Sequence, residues 1–220
     1  MAARPTIHEI VLEETQPATE WILDRPVQKV SPQWNHAALQ LAFGERLRSW
    51  ARGRGRVGTE WRFRITPPGE ITRPLVPDVA YLSTERSRDL TAAERQVPPV
   101  APDIVVEILS PDDRPADVDH KRALYLAAGT RLVILVDDRT RTVSAYSSDG
   151  STTTFGDVST FARSVPWARV SAIGNLRRTR RPVVRSTQHR RPAPRRIPSR
   201  GQQPTMGVWA SDVLRTEVRR

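Results

Sequence analysis

The sequence predicts an α/β domain with a mixed central β-sheet flanked by helices, and three observations carry that assignment. Residues 103–109 (DIVVEIL) and 132–136 (LVILV) are short, nearly unbroken apolar runs, as in strands buried on both faces. Between them, residues 117–128 read as a helix stopped by Gly129, so strand, helix and strand follow one another as in a crossover unit. A further strand at 142–147 runs into Asp149-Gly150, a turn signal.

The earlier elements follow in order. Residues 1–19 read as an N-terminal extension or a first helix, and 26–31 (PVQKVS) as a short strand. Ser31-Pro32 marks a helix start, with Ser as cap and Pro in the first turn. Apolar residues at Ala38, Leu39, Leu41, Ala42, Leu47 and Trp50 then form a helical stripe. The glycines of 52–58 (RGRGRVG) break that helix and turn the chain. Residues 59–66 alternate polar and apolar like a half-buried strand, 67–69 turn, and 76–82 (VPDVAYL) form another strand.

Charge is unevenly placed. The net charge is +11, yet residues 163–220 hold 15 arginines against two acids, and residues 1–162 are nearly neutral. Residues 177–204 hold ten Arg and five Pro and no aromatic residue, too little apolar surface to offset the entropy of ordering. The expected organisation is therefore an extension over 1–19, a domain over 20–162 and a disordered basic tail over 163–220. The tail admits three readings: an arm making phosphate contacts, a solvated extension, or the product of a shifted reading frame. There is no cysteine, which excludes disulfides, thiolate zinc sites and cysteine nucleophiles. The four histidines are too scattered for a zinc site. No phosphate-binding glycine loop, serine elbow or dinucleotide fingerprint occurs. The amino terminus carries no apolar signal segment, so a cytoplasmic protein that does not meet the membrane is expected. Arginine outnumbers lysine 33 to 2, and only Lys29 and Lys121 offer a compact, movable ammonium.

Glu107 is the most informative residue. It interrupts the most apolar run in the chain, where a carboxylate is costly unless it is paired with an arginine or bound to a metal. Asp78 lies in another strand-like segment, and two carboxylates on neighbouring strands can hold one Mg²⁺ that keeps most of its waters. Asp103 is four residues from Glu107 in one strand and projects to the same face, where it would add a supporting contact. Lys121 follows on the next helix and either supports charge at the phosphate or is simply solvated; Tyr125 shares its face one turn later. His36 could meet a phosphate, or cap or pack its helix. Arg52, Arg54 and Arg56 could grip a nucleic-acid backbone, or stand as exposed charge in a Gly-rich turn.

The segment from Pro77 to Asp137 resembles the bacterial Uma family of predicted restriction endonucleases, within the PD-(D/E)XK nuclease superfamily. The resembling residues are PDVAYL at 77–82, PPVAPDIVVEILSP at 98–111, then Asp117, Lys121, Tyr125, Ala128-Gly129 and LVD at 135–137. Ser31-Pro32 and His36 resemble the family's approach to its first helix, and the likeness spans roughly residues 20–160. It implies a mixed sheet flanked by helices, with Asp78 and Glu107 as metal ligands and catalytic acids. The superfamily's lysine, two residues after the Glu, is Leu109 here. The resemblance implies that Lys121, on the following helix, supplies it.

The function so implied is a Mg²⁺- or Mn²⁺-dependent endonuclease acting on DNA, with room for a homodimer. The alternative is a non-catalytic nucleic-acid-binding protein using the same fold and the basic tail, and a third is a partner-regulated component with an idle site.

Overall fold

The computed structural model describes residues 9–156, so the tail at 163–220 and the first eight residues of the extension lie outside the described residues. The described residues form ten strands and two helices. Two short strands, β1 (Thr19–Ile22) and β2 (Arg25–Gln28), make a hairpin ahead of helix α1 (Trp34–Trp50). Strands β3 (Gly55–Thr59), β4 (Phe63–Ile65), β5 (Arg73–Leu75) and β6 (Val79–Ser83) follow. Then come β7 (Ile104–Leu109), helix α2 (Pro115–Ala127), β8 (Leu132–Asp137), β9 (Thr142–Ser147) and β10 (Thr152–Phe155).

The main sheet has six strands in the order β10-β9-β8-β7-β6-β3. Only β7 and β8 are parallel, joined through α2; the other neighbours are antiparallel. The sheet is therefore mixed, with its most apolar strands at the centre, as expected for runs that must be covered on both faces. One face packs under α1, where Leu39, Phe43 and Leu47 meet Val106, Ile108 and Ile134. The other holds Val105, Val133 and Leu135 with Leu124 and Tyr125 of α2, and with Phe63, Ile65 and Leu75 of the β4–β5 pair. Among the described residues no helix is long and apolar enough to cross a membrane.

Several elements differ from the sequence expectation. The first hairpin puts Leu23 and Asp24 at φ of 47° and 55°, a two-residue turn of the kind usually signalled by Asn-Gly. Without that signal, only the second strand was legible. Helix α1 begins at Trp34 with Gln33 as an uncapped N-cap, not at Ser31-Pro32. Most of the expected turn at 52–58 is strand β3, paired to β6 along its length. Gly55 is needed there: a Cβ would lie 2.2 Å from the Leu82 carbonyl oxygen and 2.7 Å from the Tyr81 ring. The expected strand at 59–66 breaks at Glu60, whose φ is 47°, leaving β4 to pair with the unforeseen β5. Helix α2 starts at Pro115, two residues early, so Lys121 stands in its second turn rather than its first.

Gly44 provides an internal contrast, since it is helical and its added Cβ would make only an ordinary 3.8 Å contact with Thr59. In urea denaturation, Gly44→Ala will leave stability unchanged or raise it by up to about 1 kcal/mol, whereas Gly55→Ala will lower it by about 1–3 kcal/mol.

Candidate functional site

The register of the central strands sets the site. Strands β6 and β7 pair with Val79 opposite Val106, so one step beyond β6 the chain places Asp78 opposite Glu107. Facing residues on antiparallel strands share a face and approach closely. That face is the one covered by α2, since Val105, two residues before Glu107, packs there. Both acids line a cavity of about 340 Å³ together with Glu20, Lys29, His36 and Lys121. Asp112, Asp113 and Asp117 line it as well, from the β7–α2 connection and the start of α2.

Asp78 is 2% exposed and fully engaged. The Ile108 amide donates to its Oδ2 at 2.6 Å, and His36 Nε2 lies 3.4 Å from the same oxygen. Lys29 Nζ donates to Oδ1 at 2.5 Å. Burial disfavours the Asp78 charge, but Lys29, the His36 hydrogen bond and Lys121 outweigh it, and the carboxyl is held well below the usual carboxylate range. The same contacts act on the partners. Burial pulls the Lys29 ammonium down, yet Asp78, Glu107, Glu20 and Glu60 together hold its pKa above the ordinary value. His36 is likewise raised, because the hydrogen bond and charge of Asp78 prevail over burial.

Glu107 has the opposite character. Lys121 Nζ lies 2.9 Å from Glu107 Oε1 and 2.8 Å from Glu20 Oε1. Glu107 Oε1 takes no aligned hydrogen bond, so its burial is compensated mainly by the Lys121 ion pair. Burial is the largest influence and Asp78 adds repulsion, so despite Lys121 the Glu107 carboxyl is pushed up to about 8. Lys121 loses by burial but gains more from Glu107 and Glu20, and stays an ammonium. Tyr125, one turn later on α2, is fully buried, and its hydroxyl makes no aligned hydrogen bond. Burial first and Glu107 second raise its pKa well above the ordinary tyrosine value.

Two functional residues escaped the sequence reading. Glu20, in β1, accepts from the Val76 amide at 2.5 Å and pairs with Lys121. Its signal was its phase with buried Ile22 two residues on, visible only once β1 is recognised as a strand. Lys29 was conspicuous as one of two lysines, and the two divide the cavity's facing acids between them, Lys29 pairing with Asp78 and Lys121 with Glu107. The Arg25–Asp117 pair, with contacts of 2.5 and 2.7 Å, fastens the β1–β2 hairpin to α2 and so brings Glu20 and Lys29 to the cavity.

Other expected residues lie elsewhere. Asp103 shares the Glu107 face but sits at the far end of β7, where the Ser83 amide donates to it at 2.8 Å and Arg131 and Arg86 lie at 3.5 and 3.6 Å. It makes no supporting contact in the cavity. Arg52, Arg54 and Arg56 also belong to that far end, where β3 begins opposite Ser83. Arg54 stacks over Trp50 at 5.1 Å.

The donor set can be tested against a divalent ion. Mg²⁺ prefers hard oxygen ligands and retains waters when one or two carboxylates hold it. Asp78 and Glu107 provide two facing carboxylates, each paired with a lysine, and two hard oxygen donors of this kind fit that mode. Among the described residues no cluster of three or more His, Asp or Glu forms a ready-made cage.

The chain is similar to known proteins in family and in fold. The Uma2 family, described as "Putative restriction endonuclease", matches residues 5–172. A solved structure described as "a putative nuclease belonging to DUF820 from Anabaena variabilis ATCC 29413" is 30% identical, with a TM-score of 0.58. The match covers 66% of this chain and 80% of that one. No curated protein matches the chain.

The raised Glu107 pKa has a consequence for stability. Its folded value lies above the ordinary 4.5, so the stability its protonated form contributes is full below about pH 4.5 and is lost as pH rises through about 8. Glu107→Gln removes that loss. In scanning calorimetry, the melting temperature of the variant minus that of the native protein will rise between about pH 5 and about pH 9. A flat or falling difference contradicts the assignment.

Proposed function

Because the chain belongs to the Uma2 family, described as "Putative restriction endonuclease", we propose that it is a divalent-metal-dependent endonuclease hydrolysing phosphodiester bonds in DNA. Its mixed six-stranded sheet with flanking helices is restriction-endonuclease-like, and the family supports a nuclease-like function. The observation that carries the finer reading is the strand register that sets Asp78 opposite Glu107 at a cavity with Lys121 2.9 Å from Glu107.

In this reading Asp78 and Glu107 hold Mg²⁺ or Mn²⁺. Such an ion, when bound, supplies an activated water and Lewis-acid charge at the scissile phosphate. The chain's own residues do the rest. Asp78 is fixed by the Ile108 amide and His36, so its carboxylate keeps one orientation. Lys121 remains an ammonium, which suits it to neutralising charge on the phosphate and not to accepting a proton. Glu20, itself held by the Val76 amide, also pairs with Lys121 and is a positioning residue. Lys121 on α2 then serves where the superfamily pattern has a lysine at the Leu109 position.

Full-length protein with Mg²⁺ or Mn²⁺ should nick supercoiled plasmid, and Glu107→Gln and Lys121→Met should each lower the rate by at least about a hundredfold. Plasmid and single-stranded DNA left intact across a range of pH would sink the proposal. Undiminished cleavage by Glu107→Gln would exclude this site as its source.

A further inference from the structure

Lys29 has no part in the reaction just described, yet it is the residue most tightly bound to Asp78. Its ammonium spends all three of its donors. It donates to Asp78 Oδ1 at 2.5 Å, to the Val76 carbonyl at 3.0 Å, and to Glu60, whose two oxygens lie 3.0 and 3.1 Å away. The other Asp78 oxygen, Oδ2, is committed to the Ile108 amide and His36. Oδ1 is therefore the oxygen open to a cation, and Lys29 already occupies it.

We propose that Lys29 is a resident counter-ion that competes with a divalent cation for Asp78 Oδ1, and that Glu60 receives its ammonium when that cation binds. The inference rests on the metal-site reading above and deepens it.

Three features make Glu60 a suitable receiver. It lies within bonding distance of Lys29 already, so transfer requires loss of the Asp78 contact and not a new excursion of the side chain. Its side chain is 44% exposed, so the ammonium and carboxylate can share water once Asp78 is released. It is also held in place: Gln40 Nε2 donates to Glu60 Oε1 and to the Asp78 carbonyl, each at 2.9 Å, and the Glu60 amide donates to that same carbonyl at 3.3 Å. Gln40 thus ties the donor site and the receiving site into one unit. Without Lys29, Asp78, Glu107 and Glu20 would face a single ammonium, that of Lys121. With it, each lysine is shared between two acids while the cation is absent. The cost is affinity, because an entering ion must displace a charge already in place.

The test is calorimetric titration of Mn²⁺ into the full-length protein and its Lys29→Gln, Glu60→Gln, double and Asp78→Asn variants, with circular dichroism reporting folding. Lys29→Gln keeps a donor to Asp78 without its charge, and should tighten Mn²⁺ by at least about tenfold. Glu60→Gln should weaken it several-fold in the native background and have little effect in the Lys29→Gln background, since Glu60 acts through Lys29. Equal weakening in both backgrounds, or no tightening by Lys29→Gln, overturns the proposal. If the native protein binds Mn²⁺, Asp78→Asn abolishes it and Lys29→Gln changes nothing, only the Lys29 role falls. If neither the native protein nor Lys29→Gln binds, the metal-site reading falls with it. A second measurement needs no Lys29 variant that folds. The chain has two lysines, so lysine-labelled protein gives two side-chain NMR signals, assigned with Lys121→Arg. Saturating Mg²⁺ should shift the Lys29 signal more than that of Lys121, and an unmoved Lys29 signal overturns the proposal.

Discussion

The Asp78 carboxylate is the constraint around which the open end of the sheet is arranged. It is buried beyond the end of β6, where an unpaired charge costs several kcal/mol. Every neighbouring segment contributes something to hold it: the Ile108 amide from β7, His36 from α1 and Lys29 from the connection after β2. The burden then passes outward. Lys29 needs Glu60, Glu60 needs Gln40, and Gln40 returns to the Asp78 carbonyl. A closed circuit of this kind is stable while complete, and removing Lys29 leaves the buried Asp78 carboxylate short of its nearest partner.

The same molecule shows what a purely structural acid looks like. Asp78 and Asp103 each follow a proline, and each is almost wholly buried beside the central strands. Asp103 meets two arginines and the Ser83 amide at the far end of β7, away from the cavity. Asp78 meets a lysine and a histidine at the cavity wall. Guanidinium groups are permanently charged and hold a carboxylate through a rigid fork, which suits a fixed brace. A lysine ammonium on a flexible stem can leave, and a histidine can change charge, so the cavity end of β7 holds movable charge and the far end fixed charge.

The cavity is assembled from segments far apart in the chain, and the β1–β2 hairpin decides whether it exists. Its Arg25 clasps Asp117, its Glu20 holds Lys121, and the residue just beyond it, Lys29, holds Asp78. Each of these contacts spans dozens of residues. The two central strands can pair without the hairpin, but the two lysines cannot be placed without it.

By itself, the sequence determined the central strands, the second helix and the need of Glu107 for a partner. Unbroken apolar runs, a glycine stop and one acid inside such a run are local signals, and local chemistry reads them. Asp78 as its companion was legible from strand-like surroundings, and Lys121 through family likeness. Other features were decided only by the tertiary structure. A Leu-Asp turn gives no hairpin signal, a Gly-Arg run does not announce a strand, and an acid at position 20 has no evident partner until Val76 and Lys121 arrive. The scarcity of lysine marked Lys29 as unusual, yet its partners lie 31 and 49 residues away. Burial and pairing of charge are properties of the assembled fold, because they depend on which distant groups exclude water from the same small space.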